Sequence, residues 1–453
     1  MVHTFQALGV NVAVDVNSGA VHVLDTPAYD LLSLLDSPMG ENCPDDLAAR
    51  LPYERAVVDG AWAELRGLQE QGLLFTDDDY VDPEAAAALQ QQAPVKALCL
   101  HVSHDCNLRC QYCFASTGDF GTGRKTMDVD TAKAAIDFVV ARSGKRRNIE
   151  VDFFGGEPLM AMDTVKATVE YARSIEKGAG KCFRFTLTTN GVLLNDENIE
   201  YINREMSNAV LSLDGRPEVN DRMRKTVNGK GSYEVILPKF QKLVAGRGTK
   251  DYYLRGTFTR HNLDFAADVL HMAQLGFRNV SVEPAVGEPG CDWAIGEEDL
   301  PAVLAEYEKL AEALKDKRGE VNFFHFNVDL AQGPCVIKRM RGCGAGCEYV
   351  AVTPEGHIYP CHQFVGNPDY KMGDVHEGTF DLDIARRFAA LNVYTREDCR
   401  QCWARFYCSG GCSASNLLVN SDISKPNAVG CAMQKKRLEC AIALKAIDAG
   451  LGE

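Results

Sequence analysis

Cysteine is the residue type whose number and spacing in this sequence most directly predict chemistry. The chain has 17 cysteines in 453 residues, and ten of them fall between Cys335 and Cys440. Three others, Cys106, Cys110 and Cys113, form one C-x-x-x-C-x-x-C group. Thiols that bind metal are clustered in this way, whereas thiols that only pack a core are scattered. The sequence therefore predicts metal binding in both regions.

The group of three thiols fits an iron–sulfur cluster better than a zinc ion. Three thiolates can bind three irons of a 4Fe-4S cube, which leaves the fourth iron open to another ligand. A structural zinc ion usually takes four protein ligands, and no fourth partner lies near Cys106, Cys110 and Cys113 in the sequence. Zinc is the alternative that this spacing leaves open.

The segments after this group alternate between β-rich runs and helical periodicity, which predicts βα units and a parallel sheet. The candidate strands are residues 97–103, 148–153, 183–188, 208–213, 252–258 and 278–283. These six units are two short of a closed (β/α)8 barrel. We therefore predict an α/β fold with a partial (β/α)6 TIM-like barrel over residues 97–316.

Glycine-rich and polar motifs follow the candidate strands. They are Gly155-Gly156-Glu157-Pro158, Thr188-Thr189-Asn190-Gly191, Ser212-Leu213-Asp214-Gly215, Arg255-Gly256-Thr257 and Glu283-Pro284. Each motif alone could be an ordinary turn. In a parallel barrel, however, all of them lie on the rim that also carries the cysteine loop, and active sites of such barrels are found on that rim. The pattern predicts a site there.

This combination of motifs over residues 97–316 resembles the radical S-adenosylmethionine (SAM) superfamily. The resemblance implies catalytic roles for Cys106, Cys110 and Cys113 as ligands of a 4Fe-4S cluster, with SAM bound at its open iron and cleaved to a 5′-deoxyadenosyl radical. It also implies SAM contacts from Gly155, Gly156, Glu157, Asn190, Ser212, Arg224 and Arg255. For Arg224, a solvated arginine on a helix face is the alternative.

The C-terminal cysteines resemble the SPASM extension, which binds two auxiliary 4Fe-4S clusters in radical SAM enzymes that act on peptides and proteins. The resemblance implies one ligand set for the first auxiliary cluster, Cys343, Cys361 and Cys412. It implies another set for the second, Cys399, Cys402, Cys408 and Cys431. The expected cofactors are therefore SAM and three 4Fe-4S clusters. A zinc ion at Cys399 and Cys402 is the alternative for part of the second set.

The first auxiliary set lacks a fourth ligand, and Cys347 is the residue expected to supply it. Cys335 is the second choice, and Cys440 is expected to be buried packing. If Cys347 binds, the first auxiliary cluster has no open iron. If Cys347 points away, an iron stays available for a substrate cysteine, as the resemblance to some relatives implies.

Residues 1–80 carry a separate pattern. Valines alternate from Val10 to Val16, the turn Asn17-Ser18-Gly19 follows, and helical periodicity appears over residues 27–36 and 54–73. We predict a module at 1–80, a linker at 81–96, the barrel at 97–316 and an auxiliary-cluster domain at 317–453. Bound metal is expected to hold the last of these together, because it has few long apolar runs.

Longer motifs narrow the resemblance to the SCIFF peptide maturases, which install thioether bonds from cysteine to other side chains in a small ribosomally made peptide. They are Gly342-Cys343-Gly344-Ala345-Gly346, Tyr359-Pro360-Cys361-His362-Gln363-Phe364 and Phe406-Tyr407-Cys408-Ser409-Gly410-Gly411-Cys412. The resemblance implies that residues 1–80 are a winged-helix-like element that binds the peptide's leader. The implied partners are a cysteine-rich precursor peptide and an electron donor of the flavodoxin or ferredoxin type.

Two other functions remain as alternatives. Anaerobic sulfatase-maturating enzymes share the SPASM pattern, but they typically place an aspartate after the cysteine of the Gly-x4-Cys unit, where this chain has His362. They also generally lack a module like residues 1–80. An iron–sulfur electron carrier or redox sensor would have no need of three thiols among SAM-contact motifs.

Composition excludes other classes of function. Acidic residues outnumber basic ones by 63 to 48, which gives a net charge of −15 and disfavours nucleic acid as a partner. No apolar run approaches the roughly 20 residues of a membrane-spanning helix. Because the sequence also opens without a signal-peptide pattern, we expect a cytoplasmic protein with reduced thiols.

Overall fold

The computed structural model describes residues 1–35, 37–78, 93–317, 319–330 and 339–451. Most of the predicted linker at 81–96 lies outside the described residues, and so does Cys335. The predicted domain boundaries therefore stay predictions.

The strands are given in chain order. They are β1 (Val2–Ala7), β2 (Val10–Asp15), β3 (Val21–Leu24), β4 (Ala97–Ser103), β5 (Leu108–Cys110), β6 (Asn148–Gly155), β7 (Cys182–Thr189), β8 (Asn208–Ser212), β9 (Arg224–Thr226), β10 (Asp251–Phe258), β11 (Asn279–Pro284), β12 (Asn322–Phe323), β13 (Tyr349–Val352), β14 (His357–Tyr359), β15 (Gly373–Asp374) and β16 (Thr379–Phe380).

The α-helices follow the same order. They are α1 (Thr26–Leu32), α2 (Asp45–Ala48), α3 (Arg55–Glu70), α4 (Val129–Arg142), α5 (Met162–Ala179), α6 (Asp196–Glu205), α7 (Pro217–Met223), α8 (Tyr233–Ala245), α9 (Phe265–Gln274), α10 (Leu300–Lys315), α11 (Leu382–Ala390), α12 (Glu397–Arg400), α13 (Arg405–Cys408), α14 (Ser413–Asn420) and α15 (Ala428–Asp448). No helix among the described residues is long and apolar enough to span a membrane.

The largest sheet contains all the predicted barrel strands. Its order is β12-β11-β10-β8-β7-β6-β4-β13-β14-β15-β16, and the pairs from β12 to β13 are parallel. The six strands that the sequence predicts lie side by side in chain order, which confirms the α/β fold with a partial barrel. β13 extends the sheet beyond β4, so the region of the predicted auxiliary-cluster domain is joined to the barrel by main-chain hydrogen bonds.

The two faces of this sheet differ in chemistry, and the difference positions the site. Leu100, Phe153 and Leu187 are fully buried and belong to the core that the sheet shares with its helices. On β6 and β7, the alternate residues Asp152 and Thr188 are half-buried and polar. Because side chains alternate along a strand, these polar groups share one face, here called the inner face.

The N-terminal module, residues 1–35 and 37–78, is a sheet with three helices. β2 pairs with β1 on one side and with β3 on the other, and both pairs are antiparallel. Helix α3 buries Trp62 and Leu65 against this sheet. The strands and helices predicted here are present, and the winged-helix description stays a prediction.

The C-terminal region packs against both other parts of the molecule. Helix α15 lies along α10 of the barrel and also contacts β1 and β2. Val12 and Val14 of β2 share a core with Trp403 and Phe406. His3 stacks on the Trp403 ring with 4.0 Å between ring centroids, so the module lies directly against the segment that carries Cys399, Cys402 and Cys408.

Candidate active site

The loop that carries Cys106, Cys110 and Cys113 is held in place by contacts with two other segments. Cys106 follows β4 closely, and Cys110 ends the short strand β5. β5 pairs with β9, which places Cys110 opposite Arg224. The Gln111 backbone N–H also donates to Met223 O at 3.0 Å. The loop is therefore tied both to the first barrel strand and to the segment that follows the fourth.

These cysteines line a cavity with most of the predicted SAM contacts. The predicted residues that line it are Cys106, Cys110, Cys113, Gly155, Gly156, Glu157, Asn190, Ser212 and Arg224. Other wall residues include Tyr112, Phe114, Phe154 and Thr189. The topology thus brings the ends of β4, β6, β7 and β8 to one place. Arg255 is not among the lining residues.

Burial controls the chemistry of the thiols. It raises the pKa of Cys106 to about 11 and that of Cys110 to about 12. Deprotonated thiolates in such a place need compensating positive charge, which a metal cluster provides. The Cys106 Sγ atom also accepts from the Leu108 backbone N–H at 3.4 Å and the Asn190 side-chain amide at 3.6 Å.

One further observation fits a ligand in the cavity. The buried atoms Asn107 Nδ2 and Arg224 Nε have no hydrogen-bond partner among the described residues, and buried donors are normally satisfied. Among the described residues, no group of three or more His, Cys, Asp or Glu side chains could hold a single metal ion.

Glycine is required where β6 meets the cysteine loop. The backbone N–H of Gly156 donates to Ser103 O at 2.8 Å, and a Cβ atom at Gly156 would overlap Asp105 O. Gly155 has φ +128°, and a Cβ atom there would overlap Ser103 O. Glycine has no side chain and tolerates this conformation, so the two chain segments can approach closely.

Glu157 joins the ends of neighbouring strands. Its carboxylate accepts from the Thr189 hydroxyl at 2.7 Å, the Asn190 N–H at 2.8 Å and the Leu159 N–H at 3.0 Å. Burial raises the pKa of Glu157, and these donors oppose that rise. The carboxylate therefore organises the cavity wall as well as lining it.

Arg224 is buried at the cavity wall, so the alternative of a solvated helix-face arginine is wrong. It donates to the Tyr112 hydroxyl at 3.0 Å, and that hydroxyl donates to the Asp214 carboxylate at 2.7 Å. Burial raises the pKa of Asp214 to about 6, although Arg224 lowers it. Sequence reasoning missed Tyr112, because no spacing rule pairs residues so far apart in the chain.

The predicted ligands of the first auxiliary cluster lie together, with one exception. Burial raises the pKa of Cys361, and the nearby thiols Cys412 and Cys343 raise it further. Cys347 is turned elsewhere: its thiol donates to Ala385 O at 3.2 Å. Cys347 nevertheless belongs to the same buried cluster as Cys361, so its role as the fourth ligand stays a prediction.

The predicted ligands of the second auxiliary cluster also lie together. Burial raises the pKa of Cys399 to about 12, against the effect of Arg396, and Cys408, Cys431 and Cys402 contribute to the rise. Arg396 is buried and donates to Gly410 O and to the Ser413 hydroxyl. A buried cation thus lies among these thiols. Cys440 is fully buried in the core, as predicted.

Aromatic side chains connect the cavity with the first auxiliary set. The His362 ring lies 5.0 Å from the Phe154 ring and 5.2 Å from the Phe114 ring, measured between centroids. Both phenylalanines line the cavity, and His362 directly follows Cys361. Burial, with the charge of Arg255, lowers the pKa of His362 to about 4, so its imidazole is neutral at neutral pH.

Comparison with known protein families gives two matches. Residues 100–253 match the model of the radical SAM superfamily. Residues 343–403 match the SPASM model, an iron-sulfur cluster-binding domain. The first range contains the cavity, and the second contains Cys343, Cys361, Cys399 and Cys402.

Curated relatives are similar at low identity. An uncharacterized protein of Methanocaldococcus jannaschii is 33% identical over 138 residues, which is 30% of this chain and 45% of that protein. A cysteine-type anaerobic sulfatase-maturating enzyme of Clostridium novyi is 23% identical, over 68% of this chain and 85% of that protein. A PqqA peptide cyclase of Gluconobacter oxydans is 23% identical, over 74% of this chain and 90% of that protein.

Solved structures share the fold. Native anSMEcpe with bound AdoMet and the Cp18Cys peptide aligns with a TM-score of 0.65 at 18% identity, over 79% of this chain and 100% of that one. Streptococcus suis SuiB bound to the precursor peptide SuiA aligns with a TM-score of 0.55 at 15% identity, over 94% of this chain and 98% of that one.

Proposed function

Because the chain carries a radical SAM domain and a SPASM domain on an α/β fold, we propose that it is an enzyme that modifies a peptide by SAM-dependent radical chemistry. The cavity carries this proposal, since three thiols meet a Gly-Gly-Glu turn there and an aromatic path leads on to Cys361. The names of the relatives support a peptide substrate, because a PqqA peptide cyclase and a SuiB–SuiA precursor complex are among them.

The specific reaction that we propose is a thioether cross-link between a cysteine and a side-chain carbon of a small, ribosomally made, SCIFF-type peptide. Each cross-link replaces one C–H and one S–H bond by a C–S bond, so the peptide loses two hydrogen atoms. His362 supports this choice, because sulfatase-maturating enzymes typically have an aspartate at that position.

The proposed cofactors are SAM and three 4Fe-4S clusters, held by Cys106, Cys110 and Cys113, by Cys343, Cys361 and Cys412, and by Cys399, Cys402, Cys408 and Cys431. When bound, they supply hydrogen abstraction through a 5′-deoxyadenosyl radical and the capacity to accept an electron. The first auxiliary set has three thiols without Cys347, which leaves room for a substrate cysteine as a further ligand.

The side chains around the cavity fix the shape of its wall and provide apolar surface for a substrate. Glu157 fixes the backbone at Asn190, and Tyr112 holds Arg224 and Asp214 at the cavity wall. Phe114 and Phe154 provide apolar side chains toward His362, between the two thiol groups. A substrate segment lying along this path could reach both groups.

We assign leader binding to the N-terminal module. Among the described residues β3 pairs only with β2, so its other edge can accept a peptide strand. Main-chain hydrogen bonds at such an edge provide affinity without basic charge, which suits an acidic protein. A separate electron donor of the flavodoxin or ferredoxin type completes the proposal.

Formylglycine formation in a sulfatase is the second candidate. The Clostridium novyi relative, matched over 85% of its length, and the likeness to anSMEcpe favour it. In that case a cysteine would become an aldehyde, and the peptide would gain no cross-link. The two reactions are therefore separable by product analysis.

The decisive experiment is anaerobic reconstitution with SAM, dithionite and a SCIFF-type cysteine-rich precursor peptide. We expect intact-mass spectrometry to show the loss of two hydrogen atoms per cross-link and one thiol per cross-link to resist alkylation. An aldehyde that reacts with hydrazide would favour the second candidate. 5′-Deoxyadenosine without any peptide change would contradict the SCIFF-type substrate.

Two cysteine variants separate the thiol groups. We expect Cys110→Ala to abolish SAM cleavage, because it removes a ligand of the first cluster. Cys408→Ala should keep some uncoupled SAM cleavage and stop cross-linking, because it affects only the second auxiliary set. Equal loss of both activities in Cys408→Ala would show that this set has only a structural role.

A further inference from the structure

A set of charged side chains on the inner face lies outside the SAM cavity. Arg255 of β10 pairs in register with Ser212 of β8, which lines the cavity, so both residues share the inner face. Glu283 of β11 contacts the Arg255 guanidinium. Asp152 of β6 lies close enough for its charge to act on Arg255. These groups have no role in the proposed cofactor sites.

The Arg255 guanidinium has N–H donors that are not used in hydrogen bonds with other described residues. Within the part of the chain that the structure describes, only its Nη2 atom has a hydrogen-bond partner, and the side chain is 49% exposed. Its charge acts on His362, and Tyr112 of the cavity wall lies within reach of that charge too. Arg255 therefore lies on the inner face within electrostatic reach of both the cavity wall and His362, the residue next to Cys361.

Glu283, the ion-pair partner of Arg255, is fixed by His325, which Arg437 contacts in turn. The His325 Nε2 atom lies 3.8 Å from Glu283 Oε1 and 3.0 Å from the Ser281 hydroxyl. The Arg437 Nη1 atom of α15 lies 3.1 Å from the other ring nitrogen of His325. Burial would raise the pKa of Glu283, but Arg255 and His325 lower it to about 2. Glu283 is thus a fixed anion that orients Arg255.

Asp152 provides an acceptor close to this donor. Its Oδ1 atom lies 3.5 Å from the Thr188 hydroxyl, which is a long and weak hydrogen bond. The carboxyl group therefore keeps hydrogen-bonding capacity on the inner face, and burial raises its pKa to about 7. A guanidinium and a carboxyl group on the same face of a sheet can bind a group that offers an acceptor and a donor together.

We propose that Arg255 and Asp152 bind one peptide unit of the substrate beside the residue to be modified, with Arg255 donating to its carbonyl oxygen and Asp152 accepting from its N–H. Glu283 already neutralises Arg255, so the set favours a neutral amide over a carboxylate. The assignment rests on the proposed function, since it requires a peptide substrate.

The test compares Arg255→Gln and Asp152→Asn with the wild-type protein and a matched control. Arg184→Gln is that control, because Arg184 lies 3.6 Å from Glu150 across β7 and β6 in an exposed pair away from the cavity. We expect kcat/KM for the precursor peptide to fall about 10-fold or more in Arg255→Gln, the usual effect of losing a charged hydrogen bond. The control should stay within about 2-fold of the wild type.

Three further readouts exclude a purely structural role. In Arg255→Gln the fall in kcat/KM for the peptide should exceed any fall in SAM affinity, more 5′-deoxyadenosine should form per cross-link, and Arg255→Lys should recover part of kcat/KM. A matching loss of SAM affinity would overturn the assignment and make Arg255 the SAM contact predicted from sequence. An unchanged kcat/KM would overturn it as well. If the wild-type protein leaves the peptide unmodified, the proposed function fails first.

Discussion

At the residue scale, Glu157 shows how one buried carboxylate organises a cavity. It accepts from two backbone N–H groups and the Thr189 hydroxyl. In Glu157→Gln, the amide nitrogen cannot accept, so at least one of these donors loses its partner at a cost of about 1–3 kcal/mol. We expect SAM affinity to fall about 10-fold or more, measured by equilibrium dialysis of the reconstituted protein.

The control for this prediction is Glu197→Gln on α6. Glu197 is 76% exposed and pairs only with the flexible Lys166 side chain, so its loss should leave SAM affinity unchanged. If Glu157→Gln also binds SAM like the wild type, the carboxylate is not needed to shape the cavity. An unchanged unfolding midpoint in both variants would show that any loss of affinity is local.

Cys347 illustrates, at the same scale, what spacing does not reveal. It lies four positions after Cys343, and the sequence therefore predicts shared ligation. The chain turns between the two residues, and the Cys347 thiol faces Ala385 of α11. Direction of a side chain depends on backbone dihedral angles and on long-range packing, neither of which is visible in a cysteine count.

At the element scale, the close approach of β6 to the cysteine loop is a specific requirement of the site. A methyl group at Gly156 would overlap Asp105 O, so the turn and the loop would have to separate. We expect Gly156→Ala to lose most of the iron bound at Cys106, Cys110 and Cys113 and nearly all SAM cleavage. Iron and sulfide counts, compared with the wild-type protein, measure the loss.

Gly178→Ala is the matched control, since nothing lies within 4 Å of a Cβ atom at this position in α5. Alanine in a helix is more favourable than glycine by about 0.5–1 kcal/mol, so this variant should be as stable as the wild type or slightly more so. Full iron content and SAM cleavage in Gly156→Ala would contradict the steric argument. Iron retained only at the C-terminal thiols would support it.

The elements also show which parts of the fold are predictable. The barrel strands are encoded locally by buried, β-rich runs, so the prediction for residues 97–103 agrees with β4, and the others agree within a few residues. The β5–β9 ribbon was not predicted, because strands of only three residues are too short to show an alternating hydrophobic pattern. Its existence depends on contacts between distant segments.

The same distinction applies to the site. Residues in the glycine-rich turns were predictable, because strand ends of a parallel sheet meet on one rim. The contact of Tyr112 with Asp214 was not, since it joins residues 102 positions apart. Arg255 follows the same rim pattern as the SAM contacts, yet its side chain pairs with Glu283. Register places a residue on a face, but its partner is decided by packing.

At the scale of the whole molecule, the N-terminal module is attached to the segment that carries the second auxiliary set. Arg405 of α13 is buried and donates to the Asn17 side chain at 2.6 Å and to the Asp78 carboxylate at 2.7 Å. It also donates to Arg400 O at 2.7 Å. One guanidinium therefore joins the β2–β3 turn and the last described residue of the module to the chain between Cys402 and Cys408.

This arrangement predicts that leader binding depends on Arg405. Arg405→Met leaves the buried Asn17 side-chain oxygen without its donor, and an unsatisfied buried acceptor costs about 1–3 kcal/mol; the half-exposed Asp78 carboxylate also loses its cation. We expect faster hydrogen exchange over residues 2–24 and a lower kcat/KM for the precursor peptide, while peptide-independent SAM cleavage continues. Arg400→Met, at an exposed neighbouring position, should change none of these. Unchanged exchange over residues 2–24 in Arg405→Met would mean that the apolar contact with Trp403 alone holds the module in place.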